Sequence, residues 1–205
     1  MGDFGTFWTT AVSIGWEIAL LAATVAVAIP YLNRAGLPLA LLLVPLLFAV
    51  TAGGNVQALL VCALLFGIER RSGPLWIAVA ASLKATPILL VAVYIARGEW
   101  GRVALTFALA AALVGPMALY DLAPLTNRVA GVEPGLLAVS PVAFVLVSVA
   151  ATAVVAIFAW RRSRWTLLAA AAGSVVTLPR LFAYDATMLL VAQPRASRPA
   201  PETPE

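Results

Sequence analysis

The sequence predicts an all-α fold, a polytopic transmembrane helical bundle in which several helices are short, broken or re-entrant. Three observations predict it. Hydrophobic residues make up 63% of the chain and charged residues 11%, against about 45–50% and about 25% in soluble domains. The apolar residues fall into runs near the roughly 20 residues that a helix needs to cross the hydrocarbon. Arginine clusters, glycines and prolines punctuate those runs. The mean hydropathy of +1.01 agrees.

The first apolar run covers 7–32, with Glu17 nearer its N-terminal end. The second, 37–52, is cut by "GGN", and a third follows at 55–68. Both are short, which predicts a tight helical hairpin with its turn near one interface. "ERRSGP" (69–74) ends the third run. The fourth, 75–96, contains Lys84 as its only charge and Pro87 just after it. "RGEWGR" (97–102) separates it from 103–120, and a polar loop, 121–135, leads to the long run 136–160. "RRSR" (161–164) caps that run, and 165–193 is interrupted at Pro179-Arg180. Residues 1–193 thus form one membrane domain of about six to eight segments. The tail 194–205 is proline-rich and polar and is expected to be disordered.

Charge and composition remove several classes of function. The net charge is +4, but the arginines sit in short clusters between apolar runs, as cytoplasmic loops do. No nucleic-acid partner is expected. The chain has no histidine, so imidazole acid–base chemistry and the common zinc sites are absent, and neither metal nor cofactor is expected. Cys62 is the lone cysteine and reads as a small core filler. The N-terminus "MGDFGTFWTT" lacks a basic n-region, so the first run reads as a span rather than a processed leader. No Walker motif, GxSxG or dinucleotide fingerprint occurs, and no internal repeat is convincing.

The arginines also set orientation. Arg70/Arg71, Arg97/Arg102 and Arg161/Arg162/Arg164 are the strong clusters, flanked by Trp76, Trp100, Trp160 and Trp165. They are placed inside, in the cell membrane. The 121–135 loop carries Arg128 against Asp121 and Glu133 and is placed outside. One full crossing by 75–96 would put Arg97 and Arg102 on the wrong side. The positive-inside rule survives if this segment enters and returns on one side, turning at 84–87. Pro87 suits such a turn, because it lacks an N–H and clashes with the Leu83 carbonyl. The alternative is a single kinked span.

Three stretches carry chemistry. An ammonium at mid-bilayer costs about 2.5–3.5 kcal/mol on insertion scales, so Lys84 is expected to meet a ligand phosphate or, on the structural reading, to snorkel or to pair with an internal acid such as Glu17 or Asp185. In "GGNVQ" (53–57), Asn55 is suited to cap the following helix and Gln57 projects nearby. Their amides could pair with sugar hydroxyls or simply close a turn. In "TLPRLFAYDATMLL" (177–190), Arg180 and Asp185 sit near a proline break inside an apolar run and could neutralise each other. On a helix, Tyr184 would share a face with Arg180.

The short hairpin with its "GNVQ" turn (54–57), the basic loop, "KATP" (84–87), "RGEWGR" and the late "PRLFAYD" (179–185) together resemble the C-terminal half of the glycosyltransferase 87 family. The resemblance covers about residues 37 to 190. Members are GT-C-type multispan enzymes, among them polyprenyl-phosphate-mannose-dependent mannosyltransferases. It implies a polyprenyl-phosphate-linked sugar donor and hexosyl transfer on the extracytoplasmic face. The acceptor would be a membrane lipid or a cell-envelope glycan. It implies Lys84 and Arg180 at the donor phosphate, and Asn55, Gln57 and Tyr184 at the sugar. Catalytic carboxylates would be sought at Asp3 and Asp185, the latter able instead to orient a cation. The usual "GQ" is "GN" here. The family's acidic first loop has no clear match, so the chain resembles a member without its N-terminal part. The competing expectation is a non-enzymatic membrane protein: a small transporter, a lipid-binding subunit or an inactive remnant.

Overall fold

The structure, a computed structural model, describes residues 3–32, 37–118, 136–179 and 181–192. Among them every regular element is helical. The order is α1 Asp3–Leu32, α2 Leu37–Ala52, α3 Gln57–Gly67 and α4 Gly73–Leu83. A 3-10 turn, Thr86–Val91, then runs into α5 Ala92–Arg97, followed by α6 Trp100–Ala118. The last part comprises α7 Leu136–Val139, α8 Pro141–Trp160, α9 Thr166–Val176 and a closing 3-10 helix, Ala183–Ala192. Two stretches are long and apolar enough to cross a membrane, Thr9–Pro30 and Pro141–Trp160. The 121–135 loop and the 194–205 tail lie outside the described residues.

The expected α2–α3 hairpin is present. Its turn closes through Gly53 N–H to Val50 O at 3.1 Å and Gly54 N–H to Thr51 O at 3.0 Å. Gly54 has φ +68°, a left-handed conformation that glycine adopts without steric cost. Asn55 does not flank the helix as expected; Val56 does, and its side chain makes no cap bond. The Asn55 Oδ1 still accepts the Gln57 N–H at 2.9 Å, so it satisfies an orphan donor of α3 one residue earlier than a cap would.

α4 enters and the chain returns. α4 has 11 residues, about 16 Å at 1.5 Å per residue. It stops at Lys84, whose backbone is extended (φ −142°, ψ 111°). The 3-10 turn and α5 lead back to the starting end. There the Tyr94 hydroxyl donates to Ile68 O at 2.6 Å, and Arg97 pairs with Glu69 at 3.1 Å. Gly73 makes the fit possible, since a Cβ there would overlap the Tyr94 hydroxyl and the Ile68 carbonyl. The single kinked span is therefore overturned.

A second hairpin repeats the plan, against the expectation of no internal repeat. "RRS" stands at 70–72 and again at 161–163. Each is followed by an 11-residue apolar helix, α4 or α9. Each helix breaks shortly before a proline, Pro87 or Pro179, and is succeeded by a 3-10 helix. The 3-10 turn of the first hairpin packs on α9 of the second, while the closing 3-10 helix packs on α2 and α3. Ile95 and Trp160 line one cavity, so both basic turns lie at the same end of the bundle.

The core is assembled between those hairpins from Leu47, Val61, Leu64, Ile77, Leu90, Tyr94, Ala170 and Leu190, with Leu20 and Val27 from α1. α8 lies close on α9 because Gly173 faces Val155; an added Cβ would stand 2.9 Å from Val155 Cγ2. The longer helices overshoot this core. α1 buries Leu20, Ala23, Thr24, Val27 and Ala28, all in its second half. α8 buries Val155 and Ala159, near its basic end. In α6, Thr106 is buried while 111–116 are exposed. Three apolar arms thus rise past the short hairpins at the end away from the arginines.

Candidate functional site

The two chain breaks meet. Lys84 ends α4, and Asp185 lies in the first turn of the closing 3-10 helix. The Lys84 Nζ stands 2.5 Å from Asp185 Oδ1 and donates to Gln57 Oε1 at 3.1 Å. The second carboxylate oxygen, Oδ2, accepts the Phe182 N–H at 2.9 Å. Asp185 is 1% exposed, whereas Lys84 keeps 23%. The buried acid is fully engaged and the cation is reachable.

Why these breaks form is local. After Leu83 the helix cannot continue past Pro87, which supplies no N–H and fixes its own φ. The broken ends therefore need other partners. Ser174 Oγ donates between Thr86 O (3.0 Å) and Ala170 O (2.8 Å), tying the first tip to α9. At the second tip, Thr187 Oγ1 donates to Tyr184 O at 2.7 Å.

Gln57 binds the tips together. It is wholly buried. Its Oε1 accepts from Lys84, and its Nε2 donates to Thr187 Oγ1 at 3.2 Å, which fixes the amide orientation. The Tyr184 ring lies 4.8 Å from Lys84 Nζ, within cation–π range, and stacks on Phe182 with centroids 5.0 Å apart. An ammonium has three N–H donors. Asp185 and Gln57 take two, and one remains beside the ring.

The structure thus brings together four of the expected residues: Gln57, Lys84, Tyr184 and Asp185. Asn55 stands at the same turn as Gln57, half-buried, with its amide NH2 making no hydrogen bond among the described residues. Arg180 lies outside the described residues, and so does the side chain of Asp3. The expected pairing of Arg180 with Asp185 therefore falls outside the described residues; among these the Asp185 carboxylate meets Lys84 and the Phe182 N–H. The spacing of Arg180 and Tyr184 lies outside the described residues as well; Leu181 and Phe182 are not helical, and the closing 3-10 helix starts at Ala183. Glu17, the other acid considered for Lys84, lies instead against Gly54. Thr187 and Ser174 were not singled out from sequence. A hydroxyl two residues after "YD" is the one legible signal for Thr187, and nothing in the sequence marks Ser174.

The pair can hold an ammonium in a low-dielectric position without leaving a buried charge unpaired. It can also present one N–H to an incoming anion or oxygen. No metal-binding cluster occurs among the described residues. No family model, curated protein or solved structure matches the chain.

Proposed function

We propose that this chain is a multi-pass protein of the cell membrane. In this reading it transfers a hexosyl group, mannosyl in the nearest resemblance, from a polyprenyl-phosphate sugar. The reaction takes place on the extracytoplasmic face, and the acceptor is a membrane lipid or a cell-envelope glycan. One observation carries it: a partly exposed ammonium where the tips of two half-length hairpins meet, in a chain whose longer apolar helices extend beyond the buried core. Arms of about 16 Å reach roughly half of a 30 Å hydrocarbon core. Intramembrane ionisable groups at such depth are functional by default, and non-helical backbone there is tolerated beside protein or a wet cavity.

In this mechanism the bond between the anomeric carbon and the phosphate breaks, and charge develops on the leaving phosphate. A preorganised donor aimed at that charge lowers the barrier, and the remaining Lys84 N–H is that donor. Asp185 and Gln57 are positioning residues that hold the ammonium. Asn55 offers its amide to sugar hydroxyls, and the Tyr184 ring offers a face to the pyranose. Arg180, adjacent in sequence to the second tip, is the second cation for the phosphate. Asp3 remains the carboxylate that the family resemblance would use as base.

The test is transfer of labelled hexose from a polyprenyl-phosphate donor by the purified chain in nanodiscs. Lys84→Met is expected to lower the rate about 10²–10³-fold, the usual scale for one lost oxyanion donor. Lys84→Met with Asp185→Asn serves as a folded control, because it removes both charges together. Transfer at the wild-type rate in that double variant would sink the proposal.

One observation favours a second reading. Broken helices that meet at a charge pair, within two parallel repeats, are also the architecture of secondary transporters. A carrier would show Lys84-dependent solute uptake into liposomes and no sugar transfer.

A further inference from the structure

α6 and α8 both pack on α5, yet among the described residues they scarcely touch each other. The cleft between them is a cavity of about 300 Å³. Ile88 and Ile95 of the returning arm, Phe107 of α6, and Thr152, Ala156 and Trp160 of α8 line it. It runs along α8 from Thr152 to Trp160, about 12 Å at 1.5 Å per residue. Its length is apolar and its end is basic. Ala156 and Trp160 also line the adjoining recess that Arg161 borders. Arg161, Arg162 and Arg164 fall in one turn, and no acid stands between Trp160 and Asp185. None of these three forms an ion pair among the described residues, whereas Arg97 pairs with Glu69 and Arg102 with Glu99.

Size and charge select the occupant. A helix about 10 Å across would fill about 900 Å³ over that length, far more than the cleft holds. A single alkyl chain fits. An empty cleft would cost its lining the dispersion contacts that a chain supplies. We propose that the cleft between α5, α6 and α8 holds one acyl chain of an anionic glycerophospholipid of the inner leaflet, with its phosphate at Arg161. The guanidinium suits a phosphate because its planar fork donates two parallel N–H bonds. Trp160, exposed at the mouth, stands where interfacial tryptophans meet headgroups. The bound chain ties α6 to α8 across α5. The inference rests on the membrane placement proposed above and not on sugar transfer. Lys84 lies at the other end of the hairpin, so this lipid is separate from any ligand of that site.

The experiment titrates the full chain in detergent micelles with dioleoyl phosphatidylglycerol and reads bound lipid by native mass spectrometry. Dioleoyl phosphatidylcholine is the net-neutral control, and glycerol phosphate the chainless one. Phosphatidylglycerol is expected to bind about fivefold more tightly than phosphatidylcholine, the usual worth of one arginine beside anionic lipid, and glycerol phosphate not to be retained. Arg161→Gln is expected to abolish that preference. Arg71→Gln, which removes the same charge from the other basic turn, is expected to keep it. Ala156→Phe fills the cleft and is expected to weaken both lipids; Thr152→Phe is a second plug at another exposed position. Equal binding of the two lipids by the wild type overturns the site. So do equal losses in Arg161→Gln and Arg71→Gln, which would mean diffuse attraction, and so does full binding in both plugged variants. A dimer that Ala156→Phe dissociates identifies a second copy as the occupant and overturns the proposal. A chain that is monodisperse in water without detergent overturns the membrane placement itself. The other adverse outcomes remove the lipid site and leave that placement and the Lys84 site standing.

Discussion

Lys84 and Asp185 are far apart in sequence and meet at 2.5 Å, so their coupling is measurable by a double-mutant cycle. Removing one partner of a buried pair costs about 3–5 kcal/mol, because the other charge is left unpaired. The partial exposure of Lys84 favours the low end. Asp185→Asn and Lys84→Met are each expected to destabilise by about 3 kcal/mol, and the double variant by under about 1 kcal/mol. Reversible unfolding in mixed micelles checks this, and additive single effects would argue against a coupled pair. The identity of the acid was open in the sequence. Glu17, Asp185 and a ligand phosphate were equally compatible with a lone lysine, because pairing depends on which chain segments fold side by side.

At the level of the elements, the broken hairpin makes the sharpest forecast. Glu69 and Arg97 form an ion pair, so both ends of 69–97 lie together. Arg70→Cys and Glu99→Cys are expected to react with an impermeant thiol reagent from the same side of sealed vesicles. Labelling from opposite sides would restore a single crossing. Closure of the hairpin leans on Gly73. Gly73→Ala is expected to cost about 1–3 kcal/mol, the range for overpacking. Gly98→Ala has open space around it and meets only the left-handed backbone (φ +72°), a cost of about 1–2 kcal/mol. Thermal unfolding of the two variants separates crowding from backbone strain. The turn itself was legible, since Pro87 and the arginine distribution both pointed to 84–87. Its twin was not, because only "RRS" and a late proline survive as common letters. The likeness lies in helix length and in where each helix stops.

For the whole molecule, the expectation is behaviour as an integral membrane protein. The chain should remain in the membrane pellet after alkaline carbonate extraction and leave it only with detergent. Recovery in the aqueous fraction would remove the bilayer from every step above. The two long apolar stretches and the three overshooting arms carry that expectation. The sequence by itself determined the helical class, the positions of the breaks and the set of charges that an apolar chain must neutralise. Composition, periodicity and proline act locally, within a turn or two of the residue that bears them. Only the tertiary structure decided that the two breaks meet, that Asp185 is the partner of Lys84, and that Gln57 is buried between the tips. It alone also turned Glu17 toward Gly54. Those outcomes depend on packing between segments a hundred residues apart, where small side chains such as Gly73 and Gly173 set how closely the helices approach.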